Sequence, residues 1–182
     1  MQKYVLITSV AVLLSGCGSS INPDNYKKMQ PAFDPYTFFA GSVKAWGIVQ
    51  NRSGELVQRF TVDIEGSVDS ANTLVLDETF NYEVGEGVEH RVWKISAQSS
   101  PNSLQGQAGD ILGVAQGQLF GNAMRWQYSM DLPVDETSYK VAFDDWMWSF
   151  NDDTIVNRSY IKKFGITMAE VTIFMQKQPV TP

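Results

Sequence analysis

Four charged residues fall in rows that are otherwise apolar. Glu78 interrupts the alternating row Leu74, Leu76, Phe80, Tyr82. Arg91 is in line with Trp93 and Ile95. Asp145 follows Tyr139, Val141 and Phe143 in period two, with Met147 beyond it. Arg158 stands between Val156 and Tyr160. If Val84 to Gly87 forms a turn, Glu78 and Arg91 lie opposite or diagonal on one face. Charges turned inward are costly unless paired and hydrogen-bonded. The set reads either as the polar floor of a ligand cavity, with an arginine to hold a carboxylate or phosphate head group, or as internal salt bridges. A bulge that turns Asp145 outward is a further alternative. With Trp126 and Tyr128 from the same expected interior, the candidate ligand-binding residues are Glu78, Arg91, Trp126, Tyr128, Asp145 and Arg158.

Catalytic chemistry finds little support. Asp144 and Asp145 are adjacent acids, a pair able to ligate a cation or exchange protons. On a strand, however, successive side chains face opposite ways and do not share a site. His90 has Val92 and Lys94 as neighbours on an expected outer face and no nucleophile partner in sequence. Nucleophile-elbow, phosphate-loop and dinucleotide fingerprints are absent. One His and one Cys exclude His-rich and Cys-based metal sites within this chain. The expectation is a non-enzyme without catalytic residues, metal or cofactor.

The elements that must position these residues are strands. From Ser42 onward, turn signals recur at Ser53-Gly54, Gly66 to Ser70, Gly85-Glu86-Gly87, Pro101-Asn102, Gly109-Asp110, Gly121-Asn122, Pro133 to Glu136, Asn151 to Asp153 and Gly165. They divide the chain into about ten short strands with no helical period between them. That suggests an all-β antiparallel sandwich or up-and-down barrel, and the barrel is the fold expected here. Alternation places Met124, Trp126, Tyr128, Met130 and Leu132 on one inner face. Phe60, Val62 and Ile64 form another, and Ala169, Val171, Ile173 and Met175 a third. Leu104 to Phe120 is weakly patterned and rich in Gly and Gln. Tyr36 to Gly41 packs three aromatics into six residues and is expected to dock on, or plug, one end of the barrel. Trp146, Trp148 and Phe150 share the outer face, where they cover a loop, line a rim or touch a membrane.

The only cysteine sits at the end of Leu14-Ser15-Gly16-Cys17. Before it, Lys3 precedes an apolar run from Tyr4 to Leu14, too short to span a bilayer. This is the pattern of a secretory signal, and the four residues resemble the lipobox of bacterial lipoproteins. The resemblance implies cleavage before Cys17 and lipid on its thiol and amine. Residues 1–16 are then the signal peptide. Residues 17–35, with Gly18-Ser19-Ser20 and Pro23, form the lipidated Cys and tether, Tyr26 to Pro35 being either tether or a loose first element. Residues 36–178 are the barrel domain and 179–182 a tail. Gly18, rather than Asp, follows the cysteine, which for Gram-negative lipoproteins implies the outer membrane, facing the periplasm.

Composition agrees with one domain in such a place. The 182 residues carry a formal charge of −6, which becomes −7 once Lys3 is removed. An acidic body argues against nucleic-acid binding. A single cysteine leaves no intramolecular disulfide. Several motifs together resemble a proteobacterial lipoprotein family of unknown function. They are Phe38-Phe39-Ala40-Gly41 with Ala45-Trp46-Gly47, Leu76 to Tyr82, Arg91-Val92-Trp93, Gly121-Asn122-Ala123 and Phe143 to Met147. That resemblance implies an envelope lipoprotein with a lipocalin-like or calycin-like barrel and carries no catalytic residues with it. The expected function is a lipid-anchored envelope protein whose barrel binds a lipid or another small hydrophobic molecule. The alternative is a structural or interaction lipoprotein with a filled barrel, meeting an envelope complex through the Trp146 to Phe150 face.

Overall fold

The computed structural model describes residues 21–134 and 137–179. Cys17, residues 1–16 expected as a signal peptide and residues 180–182 of the expected tail lie outside the described residues. Ten antiparallel strands follow one another: β1 (Gly41–Asn51), β2 (Leu56–Val68), β3 (Leu74–Val84), β4 (His90–Ala97), β5 (Ser103–Gln107), β6 (Ile111–Phe120), β7 (Ala123–Val134), β8 (Thr137–Ser149), β9 (Thr154–Lys163) and β10 (Ile166–Lys177). Each pairs with its neighbours in sequence, and β1 pairs with β10 to close the barrel. The seam runs through Ala45 opposite Met175 and Val49 opposite Val171. Closure leaves no strand at a sheet edge, although the short β5 meets β4 only over Lys94 to Ala97.

Period-two patterning decides which residues face in. Val43, Ala45 and Val49 of β1 are buried, as are Phe60, Val62 and Ile64 of β2. The inner rows expected for β7 and β10 line the interior in full. Gly66 departs from expectation. Rather than opening a turn, it lies within β2, which continues to Val68. A Cβ at this position would sit on the Phe39 carbonyl oxygen, so the missing side chain admits the chain segment that crosses the barrel end. The turn itself comes later, where Asp69 accepts hydrogen bonds from the backbone of Ala71 and Thr73.

That crossing segment is a short helix, α1 (Pro35–Phe39). Asp34 caps it, accepting from Tyr36 N and from Thr37 Oγ1, and Pro35 opens the first turn. Phe38 and Phe39 meet edge to face at 4.9 Å and are buried with Phe33. The Tyr36 hydroxyl accepts from Ala97 N at 3.0 Å, and Lys177 Nζ donates to Thr37 O. Aromatic burial and these bonds fix the helix as a plug. The β2–β3, β4–β5, β6–β7 and β8–β9 turns share its end of the barrel, while the other five hairpins surround the open end.

Residues ahead of the plug also pack on the barrel. The Tyr26 ring lies 5.9 Å from that of Trp146 and 6.0 Å from that of Trp148. Phe120 stacks on Trp146 from another side, leaving Trp146 only 2% exposed. Of the outer aromatic face, Phe150 remains exposed.

Candidate ligand-binding cavity

The barrel is hollow. Its interior holds a cavity of about 1150 Å³, somewhat above the usual range for small-molecule sites. Pro35 and Phe39 of the plug floor it, and Val57, Tyr139, Lys163 and Met168 stand near its mouth. Ten strands enclose a wider lumen than the eight of a barrel that side chains just fill. The wall is largely aromatic and aliphatic. Trp93 meets Trp126 and Tyr128 edge to face at 5.5 and 5.4 Å, and Tyr128 stacks on Phe143 at 4.7 Å. Gly106 and Gly117 explain the glycine-rich middle of the chain. A Cβ on either would come within about 2.6 Å of the Trp126 indole, so the two glycines make the space in which that ring lies flat against the wall.

Five of the six candidate ligand-binding residues line this cavity: Glu78, Arg91, Trp126, Tyr128 and Asp145. Glu78 on β3 pairs in register with Arg91 on β4, as the hairpin spacing requires. Asp145 on β8 sits opposite Trp126 on β7 and Ser159 on β9. The sixth, Arg158, does not belong. It projects from the outer wall, pairs with Glu170 and lies over the Tyr160 ring at 5.3 Å. The inner row of β9 consists of Ile155, Asn157, Ser159 and Ile161. With polar residues at its centre, that row looked like the outer one, and the outer row Val156 to Tyr160 looked like the core. Replacing Arg158 by Met should leave cavity binding unchanged and cost less than about 1 kcal/mol, as an exposed pair does. A fluorescence titration and a urea melt check both.

Arg91 is held rather than free. Its Nε donates to Asp110 Oδ1 and Oδ2 at 3.1 and 3.0 Å, and Nη2 donates to Oδ2 at 2.6 Å. Its guanidinium also lies 5.7 Å from the Trp93 ring and 6.0 Å from that of Phe80. Burial opposes the charge, but Tyr128, Asp110 and Glu78 outweigh it and raise the Arg91 pKa. Burial pushes Glu78 up to about 7, against the pull of Arg91. Burial also pushes Asp145 up to about 7, with Ser159 and Arg91 opposing. Glu78 retains surface facing the cavity, while Asp145 is only 6% exposed. Tyr128 is shifted well upward, by burial first and then by the Asp145 charge.

The adjacent acid separates from this site as strand geometry demands. Asp144 faces outward, receives Arg125 Nε at 2.6 Å and Lys162 Nζ at 2.5 Å, and is bound on the opposite side of the wall from Asp145. His90 also lies outside, 2.7 Å from Asp77. Among the described residues no group of three or more His, Cys, Asp or Glu is placed to hold a metal ion.

Residues 11–177 match the family described as Protein of unknown function (DUF3833). The chain belongs to this family. No curated protein matches this chain. The solved structures that share its fold include the following two. The S-type phycobiliprotein lyase CPES from Guillardia theta superposes with a TM-score of 0.56 at 10% identity, covering 79% of this chain and 91% of the lyase. A protein of unknown function from the DUF3598 family of Nostoc punctiforme gives a TM-score of 0.59 at 12% identity, covering 82% of this chain. The DUF3833 chain spans about half of that protein, 51%. At such identities the likeness is one of fold, that of lipocalin-like barrels.

Sequence reasoning missed Asp110, Asn157 and Ser159. Asp110 was visible only as part of a turn signal. Its role arises because the β5–β6 loop stands at the open end, within reach of β4. Asn157 donates to Trp146 O at 3.2 Å, and Ser159 Oγ lies 3.3 Å from Asn157 Oδ1. Both supply the polar patch beside Asp145.

Proposed function

We propose that this chain binds a small hydrophobic molecule inside its barrel, and that lipid on Cys17 anchors it in the bacterial envelope. The observation that carries the binding reading is the cavity, closed by α1 at one end, open at the other and walled mainly by aromatic and aliphatic side chains. An apolar enclosure of this size gains from burying a ligand of similar shape. Apolar side chains also gather at the open end: Phe164, at the tip of the β9–β10 hairpin, is 93% exposed, and Ile166 and Met168 follow it. They suit an entrance through which a water-insoluble molecule passes. The lyase that shares the fold is a second, weaker support, since fold alone does not carry function. Two observations weigh against a filled barrel that meets a partner through Trp146. The barrel is hollow, and Tyr26 of the same chain already covers that tryptophan.

Fluorescence of N-phenyl-1-naphthylamine, a neutral apolar probe, tests binding. Saturable enhancement at one probe per chain is expected. Ile173→Trp, deep on the inner face of β10, and Ala169→Trp, on the same row, should each remove most of it without loss of the far-ultraviolet strand signal. Absence of enhancement in the unaltered protein, or full enhancement in both variants, would overturn the proposal.

A further inference from the structure

Two carboxyls, Asp145 and Glu78, line this cavity outside the Arg91–Asp110 ion pair of its wall. Arg91 has its Nε and Nη2 donors engaged by Asp110, and its flat face rests near Trp93 and Phe80. Lys163 at the mouth is 3.5 Å from the centre of the Tyr139 ring. Arg158 is outside. By contrast, Asp145 lines the cavity with its Oδ1 buried and unpartnered, the neighbouring Ser159 hydroxyl, which can also turn to Asp145, being directed to Asn157 Oδ1 at 3.3 Å. Glu78 lines the same space from the other side of the Arg91 strand pair. A buried carboxylate oxygen without a donor is costly in a folded protein and asks for an occupant.

We propose that the cavity takes a cationic amphiphile, an apolar body bearing a protonated amine, with the nitrogen held by Asp145 and Glu78. This rests on the cavity reading above and names its ligand class. An ammonium supplies several donors and a charge, so each bond to a carboxylate is charge-assisted. A fatty acid would bring a third carboxylate beside Asp145 and Glu78, while the arginine that should receive it is already engaged by Asp110. The arginine-to-carboxylate arrangement expected from sequence is therefore filled from within the chain.

The groups facing Asp145 fix the direction of its pH dependence. They are Ser159 from β9, Tyr128 from β7, Arg91 from β4 and Glu78 from β3, with Asp144 next to it on the outer wall. Burial holds the Asp145 and Glu78 carboxyls to about 7, so both shed their protons above that pH while an alkylamine stays charged. Amine affinity should therefore rise between about pH 5.5 and about pH 8.5.

The test is displacement of bound N-phenyl-1-naphthylamine by dodecylamine, dodecanol and dodecanoate, each below its micelle concentration. At the higher pH, dodecylamine is expected to displace the probe at about tenfold lower concentration than either of the others. The preference should shrink at the lower pH. It should also shrink in Asp145→Asn, read as dodecylamine against dodecanol within that variant, and to a lesser degree in Glu78→Gln. Dodecanoate matching or beating dodecylamine in the unaltered protein would overturn the inference, whether or not the variants fold. So would an undiminished amine preference in Asp145→Asn. In both cases the cavity reading survives, because the probe still binds; if the unaltered protein binds no probe, both readings fall together.

Discussion

Replacing Arg91 by Met should cost about 3 kcal/mol of stability at neutral pH, the low end of the range for removing one partner of a buried ion pair. The reason is threefold. Asp110 loses all three of its bonds from the guanidinium. Glu78 loses the cation in register with it. Asp145 loses a charge that opposes the penalty of its burial. The figure stays at the low end because the Asp110 side chain is 28% exposed and can recover water. The loss should be greater at about pH 8 than at about pH 5, where the two cavity acids can take up protons and need no cation. Pairing the change with Asp110→Asn should restore part of the stability, because the stranded carboxylate is then gone. Urea unfolding of the two variants at both pH values measures this. A loss under about 1 kcal/mol, or equal loss at both pH values, would show that Arg91 does not balance the interior acids.

The second large effect is the pH dependence of the unaltered protein. Burial raises Glu78 from 4.5 to about 7 and Asp145 from 3.8 to about 7. Between the unfolded and folded values, the folded state binds more protons than the unfolded one. Stability from these groups is therefore fully present below about pH 4, falls as pH rises toward 7 and levels off above it. Taken alone, Glu78 corresponds to roughly 3 and Asp145 to roughly 4 kcal/mol across that window, and because the two share one environment the combined effect is smaller than their sum. Asp144 works in the opposite sense. Burial opposes its charge, but Arg125 and Lys162 hold its pKa below the usual value, so its contribution is present at neutral pH and lost on acidification through that lowered value. The expected profile has its maximum on the acid side, with a decline through neutrality. Asp145→Asn should flatten that decline and stabilise the protein by about 2 kcal/mol at about pH 8, since an unpartnered buried charge is removed. Thermal melts across the range give the slope. A stability that climbs steadily from pH 5 to pH 8, unchanged in sign by Asp145→Asn, would contradict the assignment.

The barrel was legible because its signals are local. Each hairpin is announced by Gly, Asn, Asp or Pro, and the inner rows of β2, β7 and β10 are apolar at every second residue. The Glu78–Arg91 pairing followed from one hairpin's spacing, and the inward direction of Asp145 from the row Val141, Phe143 beside it. Arg158 was misread because both faces of β9 mix apolar and polar residues. Local alternation cannot choose between two such rows; the pairing of Asn157 with Met147 and Ser159 with Asp145 on β8 decides it. Asp110 could not be found by pattern at all. Its contact with Arg91 joins a loop to a strand across 19 positions and depends on how the barrel closes. The space that Gly106 and Gly117 leave for Trp126 is likewise a property of three strands together. Chain segments near the plug gave partial signals: three aromatics announced α1, but nothing in Tyr26 alone pointed to Trp146.

Native mass spectrometry of the protein purified gently from its own cells tests most directly the proposal that the hollow barrel holds a ligand. The expected result is a mass above that of the chain and its covalent modifications by one small, extractable molecule with an apolar body, and loss of that excess in Ile173→Trp. A chain that carries nothing, and still carries nothing after incubation with total lipid extract from the same cells, would contradict it.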